Sequence, residues 1–329
     1  MTIYHKDTPA FLEEAARAPE LRRLMGVGMN CGCEYTAFPR FQNIAPYSRY
    51  QHSLGVGLIV WHFGGDGKSA LAGLLHDIAT PCFAHVVDFL NGDHLRQEST
   101  EDGTRERIAA SPALLGVLEG LDLDVEDVAD YHRYPIADND TPRLSADRLE
   151  YTLGNLVNFG FMDAAAVRSL YDDLTVTEAE DGAAELAFRT PRAARAFCRG
   201  ALACSEIYVS DEDRYSMQCL AELIGEALQA GCLARDDLWR TEPEVIDRLT
   251  ASDRFAPRWR AFRAMSAVER AAPGPDEDGW RTIPAKKRWI DPLVAGRGRS
   301  TALFSDYRAQ VEAFLTCRQD ERLRARNYR

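Results

Sequence analysis

The run Ala70–Leu90, ALAGLLHDIATPCFAHVVDFL, constrains the fold more than any other part of the chain. It opens as an apolar helix through Ala70, Leu71, Leu74 and Leu75, and delivers His76 and Asp77 at its buried end. Neighbours on a helix point about 100° apart, so the two side chains can converge only where the helix stops. Pro81 supplies that stop, because the residue before a proline is pushed out of the helical region. A second apolar run, Phe83 to Leu90, carries His85. An imidazole and a carboxylate set between hydrophobic stretches are costly to bury unless something satisfies them. A metal ion does so, and so does a direct hydrogen bond between the two. The pair alone does not choose.

A chain of 329 residues can hold one large or two small domains. Acidic residues outnumber basic ones, 51 to 39, for a net charge of −12. That balance argues against a stable nucleic-acid partner, which needs a basic face. A small phosphorylated ligand stays open, since a few placed Arg and Lys suffice. No stretch approaches the roughly 18–20 apolar residues of a membrane span, and the amphipathic start has no signal-peptide core. We expect a cytoplasmic protein without a membrane partner; a homo-oligomer is left open. The eight cysteines are scattered, and only Cys31 and Cys33 stand close together. No second pair completes a zinc-ribbon spacing, so they read as reduced structural thiols.

The patterning predicts a mainly α protein. Thr8 to Leu24 reads as one helix, and Ser48 as the N-cap of another from Arg49 to about Phe63. Gly64 to Gly67, GGDG, lacks the flanks of a phosphate loop and reads as an inter-helix turn. Helical stretches follow at Gln97–Ala110, Pro112–Leu121, Val125–Tyr134 and Leu144–Phe159. Leu174–Phe188 reads as a β-hairpin around Asp181-Gly182. Pro191–Ala230 and Glu242–Ala271 read as helical, Trp280–Val294 as extended, and a basic loop with Arg297 and Arg299 leads to a last helix. The expected organisation is a core over residues 1–170 and a mainly helical accessory region over 171–329.

Four residues line up along this frame: His52 in SRYQHSLGVG, His76 and Asp77 in LLHDIATP, and Asp147 in SADRLEY. Two imidazoles and two carboxylates make a mixed nitrogen and oxygen donor set suited to a catalytic divalent metal. Their order and context resemble the HD-domain superfamily of metal-dependent phosphohydrolases, most closely its deoxynucleotide triphosphohydrolase branch. There the first His lies in an Arg-Phe-Glu-His-Ser-Leu-Gly-Val run, the His-Asp dyad precedes Pro-Phe-Ser-His, and the last Asp opens an Asp-x-x-Asp-Tyr helix. Here these read Arg49 to Val56, Pro81 to His85, and Asp147 to Tyr151. The resemblance covers roughly residues 35–160.

The resemblance implies an all-α HD-domain core, with a short β-hairpin and a helical C-terminal extension here. It implies one divalent ion (Mg, Mn, Fe, Co, Ni or Zn) held by His52, His76, Asp77 and Asp147. Arg49 and Arg148 would hold phosphate oxygens and Tyr151 would lie against the sugar. His85 and Glu98 would serve catalysis, His85 by moving a proton. Bland alternatives stand beside these: solvated charge for the two arginines, core packing for Tyr151 and for His85. The chain departs from the branch at Thr80, and at Gln97-Glu98 in place of a His-Glu pair, with His94 the nearest substitute. The expected activity is hydrolysis of a nucleotide phosphate ester or anhydride. One rival is an HD-type di-iron oxygenase, for which His85, His94 and His132 are the extra imidazoles in reach. The other is a catalytically weak nucleotide-binding regulatory module, favoured by Thr80 and Gln97.

Overall fold

The structure, a computed structural model, describes residues 7–95 and 103–326. Gln97 and Glu98 therefore lie outside the described residues. The protein is mainly helical, with two small sheets at its edges.

The centre is the helix Arg49–Gly64, apolar on nearly every side and buried along most of its length, as befits a helix surrounded by others. Ser48 caps it, accepting the Gln51 N–H while the Gln51 side chain returns to the Ser48 backbone. That reciprocal pair satisfies two of the free amides of the first turn. Gly65, at φ 75°, ends the helix, and Asp66 caps the next, Gly67–Leu75. GGDG is thus an inter-helix turn. The two helices pack closely: a Cβ at Gly57 would stand 3.0 Å from the Leu74 Cβ. The helix Ala146–Asn158, capped by Ser145, lies against the same central helix. These three elements carry His52, His76 and Asp147 at one end of the bundle.

Elsewhere the chain departs from its pattern for local reasons. Thr8–Leu24 is two short helices, Ala10–Ala15 and Pro19–Arg23, because Pro19 cannot continue the first. Val125–Tyr134 splits into a helical turn, Val125–Val128, and a 3₁₀ turn at Tyr131–Arg133. Six residues, Val86–Asn91, form the only helix in the second apolar run; Phe83 and Ala84 before it take φ of 60° and 46°.

The hairpin is present. β1 (Leu174–Glu178) pairs antiparallel with β2 (Ala184–Phe188), Leu174 opposite Phe188. Two sheets extend beyond it. β3 (Val268–Ala271) ends what reads as helical sequence, and β4 (Arg281–Thr282), β5 (Leu293–Val294), β6 (Gly298–Arg299) and β7 (Arg322–Ala325) follow. The sheet orders are β1-β2-β5-β6 and β3-β7-β4. Buried apolar side chains form two principal clusters, and both draw on residues from either side of position 170. No helix among the described residues is long and apolar enough to cross a membrane.

Candidate active site

His52 and His76 meet with their Nε2 atoms 3.2 Å apart. Asp147 Oδ1 lies 3.0 Å from His52 Nε2 and 3.6 Å from His76 Nε2. Asp77 Oδ2 stands 3.8 and 3.7 Å from the same two nitrogens. The structure thus brings together the four residues picked out by motif order. Both imidazoles are almost fully buried.

The outer nitrogens of the two rings are already committed. His76 Nδ1 lies 2.8 Å from the Gly73 carbonyl oxygen, which can only accept, so Nδ1 carries the hydrogen. His52 Nδ1 lies 2.5 Å from Glu150 Oε2, which also binds the Tyr47 hydroxyl. With Nδ1 protonated, each neutral ring turns an Nε2 lone pair inward, towards two carboxylates. Two Nε2 atoms and Asp147 Oδ1 then face one another at 3.0–3.6 Å with no donor among them, and Asp77 Oδ2, already accepting from Arg49, stands beside them. A divalent cation resolves that conflict, and donors about 2.0–2.2 Å from a metal stand about 3–3.5 Å apart. The separations among His52, His76 and Asp147, 3.0–3.6 Å, are close to that spacing, and Asp77 lies slightly wider at 3.7–3.8 Å. Nδ1 hydrogen bonds to a carboxylate and a carbonyl are also the usual supports of metal-binding imidazoles.

Without a cation the site resolves the conflict by protonation. Burial pushes the His52 imidazole down, but the Glu150 and Asp147 carboxylates outweigh it and hold its pKa up at about 10. Burial likewise opposes charge on Asp77, and Arg49 with the two imidazoles overrides it, holding the carboxyl well below the usual range. Asp147 is lowered in the same way by hydrogen bonds from His52 and His76. Arg49 Nη1 donates to Asp77 Oδ2 at 2.9 Å, and the Thr80 hydroxyl donates to Asp77 Oδ1 at 2.7 Å. Thr80 thus fixes the dyad carboxylate.

A cavity of about 580 Å³ opens over this cluster, within the size range of small-molecule sites. His85 lines it, brought there by the left-handed turn at Phe83 and Ala84. Such φ values cost non-glycine residues roughly 1–3 kcal/mol each, and the surroundings hold the turn: the Phe83 N–H donates to Glu242 Oε1 and the Cys82 N–H to the Leu238 carbonyl. His85 Nδ1 lies 2.9 Å from the buried Asp88 carboxylate. Burial lowers the His85 pKa, and the Asp88 hydrogen bond opposes that. Tyr151 also lines the cavity, with its ring 6.5 Å from that of His52 and 6.1 Å from that of Tyr208. Arg148 reaches the wall but spends its donors there. Its Nε donates to the Arg143 carbonyl, its Nη2 to Asn139, and its Nη1 pairs with Asp138 at 3.1 Å. His94 stacks on the lining residue Phe89 without lining the cavity itself, whereas His132 lines it, 2.8 Å from Asp138.

Several residues of the site escape a reading by motif. Glu150 follows Asp147 by one helical turn, a spacing that puts both on one face. Tyr208 and Asp213 come from the helices Pro191–Tyr208 and Asp211–Gln229, and Lys286 and Arg288 from the segment between β4 and β5. Nothing near them in sequence points to a site.

No protein-family model matches the chain. It is 25% identical over 251 residues to the uncharacterized protein YdhJ of Bacillus subtilis, covering 73% of this chain and 71% of that protein. It is 26% identical over 302 residues to the metal-dependent phosphohydrolase cns2 of Cordyceps militaris, covering 87% and 81%. Among solved structures, a phosphohydrolase from Bacteroides thetaiotaomicron superposes with a TM-score of 0.64 at 14% identity, over 99% of this chain and 98% of that one. The chain therefore shares its fold, along almost its whole length, with a phosphohydrolase.

Proposed function

We propose that the protein is a metal-dependent phosphohydrolase of the HD-domain type, acting on a phosphate ester or anhydride of a nucleotide. The observation that carries the metal is the convergence of two Nε2 lone pairs and Asp147 Oδ1, 3.0–3.6 Å apart, with Asp77 Oδ2 3.7–3.8 Å from the two nitrogens. His52, His76, Asp77 and Asp147 would hold the ion, and the name of the relative cns2 agrees with that assignment. A bound divalent ion supplies an acidic water and polarises a phosphoryl oxygen.

The remaining chemistry belongs to side chains of this chain. Arg49, beside Asp77, holds that carboxylate in place and puts positive charge at the metal end of the cavity. His85 is neutral near pH 7 and takes or returns the proton of the hydrolytic step, with Asp88 fixing its ring. Arg148 keeps the 138–143 loop in place as one wall. The cavity also offers aromatic walls to a flat ring system: Tyr151 and Tyr208 meet edge to face, and Phe41 and Phe159 do so at 6.3 Å. Phosphate at the ion and base against the rings is the arrangement that uses both features.

Elemental analysis and phosphate release from a panel of nucleoside mono-, di- and triphosphates test the reading together. Asp147→Asn keeps the shape of the ligand and removes its charge, so it should lose the ion and at least about a hundredfold in activity. Full metal content in that variant would remove Asp147 from the ligand set. No phosphate release from any nucleotide by the metal-loaded wild type would overturn the nucleotide assignment.

A further inference from the structure

The cavity is lined by three arginines, and two of them are engaged. Arg49 is paired with Asp77 at 2.9 Å, and Arg148 is spent on Asp138, Asn139 and the Arg143 carbonyl. Arg288 differs. It lines the same cavity, half-buried, and forms no hydrogen bond or ion pair among the described residues. Its charge nevertheless acts on His85, Tyr151, Tyr208 and Asp213, four residues that line the same cavity. A guanidinium half-withdrawn from water without a hydrogen-bonded partner is costly to keep.

The backbone that carries Arg288 is tied at both ends. The Ala285 N–H donates to the Gln319 side chain at 2.8 Å, and the Asp291 N–H to the Pro142 carbonyl at 2.7 Å. Asp291 is held further by Thr301, whose backbone N–H donates to Oδ1 at 2.8 Å. Lys287 turns away, donating to the Leu315 carbonyl at 2.8 Å near the end of the helix Ser305–Thr316, while Ala285, Lys286, Arg288 and Trp289 line the cavity. The segment is a strap fixed along the cavity wall, not a loose tail.

We propose that Arg288 is a substrate-binding residue, delivered by this strap to the cavity to grip a phosphate oxygen of the substrate. The proposal rests on the phosphohydrolase reading above. An Arg fork offers two parallel donors to such an oxygen pair, and it completes the site with a residue far outside the HD motifs. The part of the chain that follows the HD core is then part of the active site.

The test uses inorganic phosphate as the probe, measured as a competitive inhibitor of the metal-loaded full-length protein and by direct titration calorimetry. Loss of one charge-assisted contact weakens binding by roughly ten- to a hundredfold. Arg288→Ala should weaken phosphate by that factor and raise KM more than it lowers kcat, with metal content unchanged. Arg288→Lys should recover part of the loss, which a merely structural role would not produce. Arg297→Ala removes an exposed positive charge from the neighbouring loop, and should leave phosphate binding as it is. If wild type and Arg288→Ala bind phosphate equally, the Arg288 assignment is overturned and the phosphohydrolase reading stands. If the metal-loaded wild type neither binds phosphate nor releases it from any ester, the reading falls and the assignment with it.

Discussion

His85 is set between opposing influences. Burial lowers its pKa from the ordinary 6.5, Arg288 and Arg49 lower it further, and the Asp88 carboxylate 2.9 Å from Nδ1 raises it. The net effect is a ring that is neutral at pH 7. A neutral imidazole can accept a proton, and that ability is lost as the pH falls through its pKa, below 6.5. The wild-type rate should therefore fall on the acid side, and His85→Ala should lack that limb. The variant should keep its metal and lose about 10²- to 10⁴-fold in turnover. A wild-type rate and pH profile in the variant would reduce His85 to a buried packing residue. His85 was legible in sequence because it sits a fixed distance from the dyad within an apolar run. Glu150 was within reach too, one turn beyond Asp147. Arg288 and Asp213 were not, since only tertiary folding brings them to a cavity whose motifs lie far away along the chain.

Short elements depend on contacts that no local pattern announces. β3 and β7 pair across a long stretch of chain, Val268 opposite Ala325, and each is four residues long. A strand so short reads as the tail of a helix until its partner is found. The hairpin of β1 and β2 was legible because Asp181-Gly182 marks its turn, with Gly182 at φ 85°. The helix Glu242–Ala251 docks in another way, by the carboxylate that opens it. Glu242 accepts the Gly28 N–H at 2.9 Å, the Tyr35 hydroxyl at 2.8 Å and the Phe83 N–H at 3.2 Å. Glu34 lies beside it, and a Cβ at Gly28 would collide with Glu34 Oε1 and touch Glu242 Oε2. Burial, and then the Glu242 carboxylate, push the Glu34 carboxyl up to about 8. A raised carboxyl contributes stability that is fully present below its unfolded value of 4.5 and is lost as the pH rises through about 8. The melting temperature should therefore fall between about pH 6 and pH 8.5. Glu34→Gln, which cannot ionise, should narrow that fall by at least about 2 °C. An identical pH dependence in both proteins would show that Glu34 is already ionised at the acid end of that range.

At the scale of the whole molecule, the site lies on the seam between the two buried clusters. Val56, Leu75 and Leu149, from the three elements that carry His52, His76 and Asp147, belong to the first. Phe83 and Ala84, which turn His85 inward, belong to the second, with Tyr215 and Leu220 from the far half of the chain. The motifs in residues 49–151 therefore announce the chemistry without announcing the walls that enclose it. Leu12 and Phe314 share one cluster, as Phe38 and Leu323 share the other, so neither half of the sequence buries its apolar surface by itself. Cooperativity follows from that sharing. The metal-loaded protein should unfold in one calorimetric transition, with calorimetric and van't Hoff enthalpies equal. A ligand that binds only the folded state adds about 2.7 kcal/mol at a hundred times its Kd, so a divalent ion at that excess should move the whole transition up by a few degrees. Asp147→Asn should unfold in one transition as well, without that shift. Two transitions in the wild type, only one of them sensitive to the metal, would instead mark the two clusters as units that unfold separately, with the cavity opening between them before either core is lost.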